Sequence, residues 1–479
     1  MADAWHLEYL SEDGLQQIED TALRLLAEVG ISLRHSGAVE RLHGLGCAMA
    51  GGRVLIPRDV VEWALKNVRR FDTIYSPDAS RSLRLGNGNS YFHNGGGVPF
   101  IYDLDGDVRR EGRLQDVIDA TRLLDALPNV DVVIPILSAQ DVPPELMLIA
   151  SVDATLRNTR KPVGLAAAEK PEDVRYLVAM AAACCGGEEA FRAGPTSAIM
   201  VSPVSPLTFT EQVTATIMAV AESGAAFQSL PAPSLGATGP ITMAGTLALQ
   251  HAEVLASFVI VAATRPGTPV GYCSRINGID LRSAVSIWGS PEVGMTAASA
   301  TQLAHRHGFV CDAYGFASTP ARLDPQFAYE RFANAFVPAL AGGDLLSGVG
   351  VLENNLAASL QAAVIDDELI SVIRHVARGC EVSEDMLAFD LMKDVIPAHG
   401  SFLSELHTVR HMRQGAIWMP ASGKRGAPKA SGRADILARA SARARDLLAS
   451  HPVEPLPDAT LQQLDAIMAE ARRELVPVA

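Results

Sequence analysis

The sequence has little of what several large classes of protein require. Its 479 residues carry a formal net charge of −14, which argues against nucleic acid or an anionic membrane as a main partner, because both bind basic surfaces. Aromatic residues make up only 5%, and the six cysteines are scattered without metal-ligand spacing. We therefore expect a cytoplasmic protein with reduced thiols and no metal site.

No stretch is typical of a targeting or membrane-spanning segment. The N-terminal sequence MADAWHLEYLSEDG contains acids and no basic-then-apolar run, so we expect no signal peptide. The longest apolar run, at 254–263, is too short to cross a bilayer. The expectation is that the protein does not contact a membrane.

Lysine is absent between Lys170 and Lys393, and Lys161 begins a predicted strand. A mechanism through a lysine imine, common on barrel folds, therefore has almost nowhere to place its amine, and we reject it. No serine stands in a GxSxG elbow, and no cluster of histidines and carboxylates has divalent-metal spacing.

Strand-like and helical patterns alternate regularly from residue 90 onward. The predicted helices lie between and after the strands, at 114–127, 145–158, 171–183, 210–223, 243–264, 291–307, 324–340 and 356–378. Eight strand–helix units over about 290 residues predict an α/β fold, a (β/α)8 TIM barrel, with a doubly wound sheet as the alternative. No GxGxxG follows the first strand, which favours the barrel. The predicted strands are 90–94, 130–138, 162–168, 196–202, 226–230, 269–274, 308–314 and 344–351.

Four regions follow from this pattern. We expect an N-terminal helical cap (1–89), the barrel (90–380), a barrel-associated segment (381–420), and a linker with a helical tail (421–479). Within the barrel, runs at 98–103 and 107–110 joined by Asp105-Gly106 predict a hairpin. The linker is the Gly/Pro/Ala stretch ASGKRGAPKASGRA at 421–434.

The stretch 227–273 forms one predicted βαβ unit with a long loop, 231–242, after its first strand. Since chemistry in barrels lies at the carboxyl ends of strands, this loop and its equivalents are the first candidates for a site. Their polar and aromatic side chains include Ser138, Gln140, Glu169, Ser202, Ser205, Ser234, Ser318 and Asn354, together with the residues that we select as site candidates: His93, Asn94, Phe227, Gln228, Tyr272, Arg275, Asn277, Tyr314, Phe316 and Glu353.

His407 and His411 stand four residues apart on a predicted helix, with Glu405 nearby. Such spacing is compatible with zinc, but without an HExxH pattern it is non-specific. We expect a surface or interdomain role for this pair.

Several blocks resemble one family. They are NGGGVPFIYDLDG, LLDALPNVD, SLGATGPITMAGTLALQHAEVLA, SPEVGMTAASATQLAHRHG, DPQFAYE, GVGVLEN and ELHTVRHMR, and they are similar to the trimethylamine methyltransferase (MttB-like) superfamily over roughly residues 10–420. The resemblance implies a (β/α)8 barrel that transfers a methyl group from a methylated amine to cob(I)alamin on a separate corrinoid protein. The chain itself has no DxHxxG cobalamin signature, in agreement with a separate carrier.

The founding members of that family carry pyrrolysine, and this sequence has none. The resemblance therefore implies the non-pyrrolysine branch, which demethylates quaternary amines such as glycine betaine, carnitine-like compounds or proline betaine. We expect His93 and Glu353 as catalytic residues, with Glu353 orienting a ring or an arginine or else capping a helix. Arg275, His93 or Asn94 would grip a distant carboxylate, and Asn94, Phe227, Gln228, Tyr272, Asn277, Tyr314 and Phe316 would contribute to the substrate pocket.

Three functions stay open at this point. The first is the corrinoid-dependent methyltransferase, with a methylated amine and a corrinoid protein as partners and a homo-oligomer expected. The second is a barrel lyase or hydrolase that uses Glu353 or Glu169 as a base on a small acid. The third is a betaine-binding protein without catalysis.

Overall fold

The structure is a computed structural model that describes residues 7–76, 79–104, 108–194, 198–422 and 435–477. Most predicted helices begin and end within one or two residues of their predicted bounds. The helices are α1 (Glu12–Arg24), α2 (Ser36–Gly44), α3 (Arg58–Asn67), α4 (Leu114–Ala126), α5 (Met147–Arg157), α6 (Pro171–Cys184), α7 (Glu188–Ala193), α8 (Glu211–Ser223), α9 (Met243–Thr264), α10 (Pro291–Arg306), α11 (Pro325–Leu340), α12 (Leu360–Ala377), α13 (Glu384–Leu387), α14 (Phe389–Val395), α15 (Leu406–Arg413), α16 (Ile436–Ser450) and α17 (Asp458–Leu475).

The strands are short. They are β1 (Ser32–Leu33), β2 (Ala48–Ala50), β3 (Arg53–Leu55), β4 (Arg69–Arg70), β5 (Thr73–Ile74), β6 (Leu83–Arg84), β7 (Tyr91–Asn94), β8 (Phe100–Tyr102), β9 (Arg109–Glu111), β10 (Ala198–Val201), β11 (Thr208–Phe209), β12 (Ala226–Ser229), β13 (Ser234–Leu235), β14 (Pro269–Ser274), β15 (Asn277–Asp280), β16 (Val285–Ile287), β17 (Cys311–Tyr314), β18 (Leu345–Val349), β19 (Val351–Leu352) and β20 (Ala357–Ala358).

Six of these strands form one curled parallel sheet in the order β10-β12-β14-β17-β18-β7, and β4 also pairs with β14. The four strands β10, β12, β14 and β17 are buried throughout, as expected for parallel strands covered on both faces. Successive strands are joined by helices, so their carboxyl ends lie at one edge of the sheet. That edge is where a site is expected.

The predicted strands 130–138 and 162–168 are not regular strands in the structure. Each makes isolated parallel bridges instead: His93 to Val132, Val133 to Val163, and Ala167 to Met200. Pro135 and Pro162 lack the N–H group that a ladder needs, and Ala166 has a φ of 62°. The observed sheet therefore has six regular parallel strands where eight were predicted.

The N-terminal helices cover the long helix α9, which is mostly buried. Seventeen of its 22 residues are buried, and most of these are apolar, so the helix is covered on all sides. By length and composition it would pass for a membrane span, yet 94% of its apolar window is buried inside the protein. Helices α1, α2 and α3 pack against α9 and cover it.

The C-terminal helices also return to the body of the molecule. Helix α16 packs on α12 and α4, and α17 packs on α5 and α6. One apolar core extends from Leu15 to Ala471 and includes side chains from the N-terminal helices, the sheet and both of these helices. The four predicted regions remain predictions.

Two predicted connections lie partly outside the described residues. The predicted hairpin is present as antiparallel β8 and β9, but Asp105-Gly106 at its turn is not described. The predicted linker falls almost wholly outside as well, because residues 423–434 are not described. The loop 231–242 contains β13, which pairs in parallel with β15.

Candidate active site at the carboxyl ends of the strands

A cavity of 470 Å³ opens where the parallel strands end, within the size range of about 300–1,000 Å³ that is typical of small-molecule sites. Four predicted site residues line it: His93, Asn94, Arg275 and Tyr314. The rest of the wall is largely small or apolar, including Gly95, Gly96, Gly97, Ile134, Pro135, Leu137, Met147, Leu148, Ala166, Ala167, Met200, Leu230 and Ala232.

Arg275 is held at the cavity by Asp312. Its Nη2 donates to Asp312 Oδ1 at 2.7 Å, and its Nη1 donates to the backbone oxygens of Ser274 and Asp312, both at 2.9 Å. These three bonds leave N–H groups on Arg275 without an acceptor among the described residues, and the side chain lines the cavity. Burial opposes ionisation of Asp312, but Arg275 and His93 outweigh it and lower the pKa of the carboxyl to about 2.

His93 contacts the same carboxylate from β7. Its Nε2 lies 3.3 Å from Asp312 Oδ1, and its Nδ1 lies 2.9 Å from the backbone oxygen of Asn94. Both ring nitrogens therefore face protein oxygen atoms, and Asp312 Oδ1 is shared between His93 and Arg275.

An aromatic wall lies next to Arg275. The Trp288 and Tyr314 rings are 5.0 Å apart and tilted by 57°, and both line the cavity. The Arg275 guanidinium carbon is 5.6 Å from the Tyr314 ring centroid. An electron-rich pair of ring faces therefore stands beside the cationic end of the same cavity.

Three consecutive residues in the left-handed region hold this wall. Glu353, Asn354 and Asn355 have φ values of 56°, 52° and 63°. Asn354 Oδ1 accepts from the Trp288 backbone N–H at 3.1 Å, and Asn355 Oδ1 accepts from the Tyr314 hydroxyl at 2.8 Å. Backbone in this region is unfavourable for non-glycine residues, so its use three times in a row at the cavity points to a positioning role.

The cavity lining also includes charged side chains that follow residues 138 and 168 in the chain. Glu145, Glu169, Lys170 and Asp173 all line the cavity. Lys170 Nζ is 3.9 Å from an Asp173 oxygen, and burial raises the pKa of the Asp173 carboxyl. Lys170 therefore reaches the cavity in an ion pair, which the lysine-free span did not lead us to expect.

Four predicted site residues on or just after the strands do not line the cavity. Phe227 belongs to the apolar core, and the Tyr272 hydroxyl contacts His251 Nδ1 on α9 at 3.2 Å. Phe316 packs edge-on against Phe92. Gln228 packs against the neighbouring strand at Gly271, and its Nε2 has no partner among the described residues. Because side chains alternate along a strand, position near a strand end does not by itself bring a residue to the cavity.

Three other predicted residues form hydrogen bonds within the protein. Glu353 accepts from Arg109 Nε at 2.9 Å and from the Tyr102 hydroxyl at 3.1 Å, away from the cavity wall. Asn277 bonds Ser234 in the small β13–β15 sheet. Asn94 lines the cavity, but its amide donates to the backbone oxygens of Gly95 and Ile134 and accepts from the Ile134 N–H.

The sequence interpretation missed Asp312, Trp288 and Asn355. Asp312 could have been found, because a carboxylate inside the apolar run FVCDAYG must have a buried partner. Trp288 is one of only four tryptophans, but it follows an irregular stretch that gives no periodic signal. Among the described residues, no group of three metal-ligating side chains lines this cavity.

Comparison with known proteins adds a family match. The model of the trimethylamine methyltransferase (MTTB) family matches residues 3–476. Glycine betaine methyltransferase from Desulfitobacterium hafniense is 30% identical over 97% of this chain and 97% of its own length. Trimethylamine methyltransferase MttB from the same species is 29% identical over 98% and 95%, and MttB1 from Methanosarcina mazei is 27% identical over 97% and 95%. Among solved structures, N-acetylneuraminate lyase from Mycoplasma synoviae aligns with 76% of this chain at 9% identity and a TM-score of 0.31, a likeness too weak to carry an argument.

Proposed function

Because the chain belongs to the trimethylamine methyltransferase (MTTB) family, we propose that it moves a methyl group from a quaternary amine, glycine betaine or a related betaine, to cob(I)alamin on a partner corrinoid protein. Methyl transfer is supported by the family and by the names of its relatives. The choice of a betaine and the corrinoid partner are our own inferences.

One observation carries the choice of substrate. A cationic group with unused N–H donors, Arg275, stands beside the Trp288 and Tyr314 rings in a single cavity. A betaine carries a carboxylate and a quaternary ammonium a few bonds apart. Arg275 suits the first because guanidinium N–H groups bind carboxylates well, and the ring faces suit the second.

The ammonium contact should be weak for a physical reason. The methyl donor is a cation that leaves as a neutral amine, so positive charge fades from nitrogen in the transition state. Strong cation binding would stabilise the ground state more than the transition state and slow the reaction. In the proposal the ammonium contacts the two rings, which grip it gently, whereas the carboxylate remains charged throughout and can be held firmly.

Cob(I)alamin supplies the nucleophile as a co-substrate, and this chain binds and orients the methyl donor. In the proposal, Arg275 holds the carboxylate with its unused N–H groups, and Asp312, which also contacts His93, keeps the guanidinium in place. Asn94 acts through the backbone by fixing Ile134 in the cavity wall. Positioning of the methyl group for in-line attack then supplies much of the rate.

For the fold, we infer that the parallel sheet closes into an eight-stranded (β/α)8 barrel. The support comes from the isolated bridges, which link β7 to residue 132, residue 133 to residue 163, and residue 167 to β10 in parallel. Two irregular segments thus lie between the outer strands of the six-stranded sheet. A barrel would surround the cavity on all sides with strand ends.

A cytoplasmic location and a homo-oligomer remain predictions. Self-association is supported by the large hydrophobic side chains that are exposed in the structure, of which 12 of 24 lie in residues 382–419. Such a concentration is typical of an interaction surface. We assign it to contact between copies of this chain.

The test is a methyl-transfer assay with reduced cob(I)alamin and a panel of amines: glycine betaine, proline betaine, carnitine, choline and trimethylamine. We expect methylcobalamin to form fastest with a betaine, as followed by its absorption spectrum. The assay is run with free cob(I)alamin and with a corrinoid protein. Absence of methylcobalamin across the panel in both forms, with the reduced corrinoid verified, would refute the methyltransferase assignment. A clear preference for trimethylamine would refute the betaine assignment alone.

A further inference from the structure

Asp385, His407 and His411 form a cluster outside the cavity. Their ligand atoms all lie within 4.8 Å of one another. Among the described residues, no other group of three histidine, cysteine or carboxylate side chains meets this condition. The two histidines lie on one face of α15, four residues apart, and Asp385 comes from α13. We propose that these three side chains form a transition-metal site, with zinc as its occupant.

The donor atoms suit zinc in kind and in spacing. Two imidazoles and one carboxylate are common zinc ligands. Tetrahedral bonds of about 2.0–2.1 Å place neighbouring ligand atoms about 3.3 Å apart, and His411 Nε2 lies 3.3 Å from Asp385 Oδ2. The two imidazole rings are 4.2 Å apart, so small rotations bring both toward one point.

His411 Nε2 faces the cluster. It lies 3.3 Å from Asp385 Oδ2 and 3.1 Å from Arg410 Nη2. His407 Nε2 contacts the Asp385 backbone oxygen at 3.0 Å, and it exchanges that contact for the metal. Arg410 also pairs with the Asp385 side chain, so its cation competes with the metal for the site. The Arg410 side chain is half exposed and can turn into solvent.

A metal bound to this cluster would stabilise the segment around it. Segment 381–419 has almost no core of its own: α13 buries no residue, α14 buries Val395, and α15 buries His411. A metal held by Asp385 and the two histidines would tie α13 to α15 and close the chain between them. Small units that lack a core are commonly stabilised in this way.

The experiment uses the untagged full-length chain, stripped of metal and titrated with Zn²⁺ by calorimetry. We expect one Zn²⁺ per chain, with affinity reduced about 100-fold or more in H407A and H411A and at least about tenfold in D385N. The exposed histidine variant H43A is the matched control and should bind like the wild type. Arg410→Gln should bind Zn²⁺ several-fold more tightly, because it removes the competing cation.

Limited proteolysis supplies a readout besides affinity. Zn²⁺ should slow cleavage within 381–419 in the wild type and H43A, but not in H407A or H411A. Far-UV circular dichroism verifies that the variants are folded. The same Zn²⁺ affinity in H407A, H411A and the wild type, or no binding to the wild type, would overturn the proposal. Neither result depends on the methyl-transfer assay.

Discussion

The Arg275 guanidinium and the Asp312 carboxylate are joined at 2.7 Å, with the carboxylate fully buried and the guanidinium at the cavity. Asp312 lies within β17 and Arg275 follows β14, so the bond joins two adjacent strands. Removal of either charge from such a pair leaves the other uncompensated, which is costly in a buried environment. Arg275 is thus oriented before any substrate arrives.

Substitution of Arg275 should separate substrates by their carboxylate. In Arg275→Gln we expect Kd for glycine betaine to rise about 10- to 100-fold, since a hydrogen bond between charged groups contributes about 1.5–3 kcal/mol. Choline has the same ammonium and no carboxylate, so its binding should change little. Calorimetric titration with both ligands tests this without the corrinoid. An equal loss for both ligands would remove Arg275 from carboxylate binding.

Trp288 should bind the ammonium end. We expect Trp288→Leu to weaken glycine betaine binding by about 0.5–2 kcal/mol, or roughly 2- to 30-fold, because a quaternary ammonium loses one ring face. Trp288→Phe should retain most of the affinity. The matched control is Trp63→Leu on α3, a half-buried tryptophan that does not line the cavity. Equal affinity in Trp288→Leu and the wild type would contradict the assignment.

The helices were predictable because their signals are local. α6 begins at Pro171 and α10 at Pro291, where proline is favoured at a first helical position, and both continue with amphipathic spacing. The strand 130–138 was wrongly predicted because hydrophobic content alone does not reveal that Pro135 interrupts a ladder. Strand signals depend on partners that are distant in sequence.

The candidate site was predictable only in part, and for a related reason. His93, Arg275 and Tyr314 follow from the rule that strand ends meet at one edge. Tyr272 was wrongly given to the cavity because one residue along a strand reverses the facing side, and its hydroxyl contacts α9. The position of Asn355 at the cavity could not be predicted, because it depends on a left-handed backbone that the sequence does not indicate.

The buried Glu253 should make stability depend on pH. It accepts from the Leu207 N–H and the Ser205 hydroxyl, both at 2.8 Å, and burial raises the pKa of its carboxyl from 4.5 to about 7. The folded protein therefore holds this proton more tightly than the unfolded chain. The contribution of Glu253 to stability is fully present below about pH 4.5, falls as pH rises to about 7, and stays low above it.

Glu253→Gln should remove this dependence. We expect the loss of unfolding free energy between pH 4.5 and pH 8 to be smaller than in the wild type by roughly 3 kcal/mol, as measured by urea unfolding. Glu222→Gln is the control, because this exposed glutamate lies near the end of neighbouring α8 and should leave the pH dependence unchanged. The same pH dependence in all three proteins would show that Glu253 titrates normally.

Breaking the ion pair between Arg331 and Asp366 should lower the free energy of unfolding strongly. Both side chains are fully buried, and Arg331 Nε donates to Asp366 Oδ1 at 2.7 Å. Other N–H groups of Arg331 donate to the backbone oxygens of Phe316, Val351 and Gly348, and Asp366 accepts from the Gly350 N–H. The pair therefore fixes the chain at the end of β18.

Asp366→Asn should lower the free energy of unfolding by about 3–5 kcal/mol, because it leaves a buried guanidinium unpaired. Arg331→Met should cost at least as much, since it also strips three backbone oxygens of their donor. Arg24→Gln is the control: its pair with Glu28 is 72% and 62% exposed, and such pairs contribute less than about 1 kcal/mol. Urea unfolding midpoints measure all three. A loss in Asp366→Asn no larger than that in Arg24→Gln would mean that Arg331 is satisfied by the backbone alone.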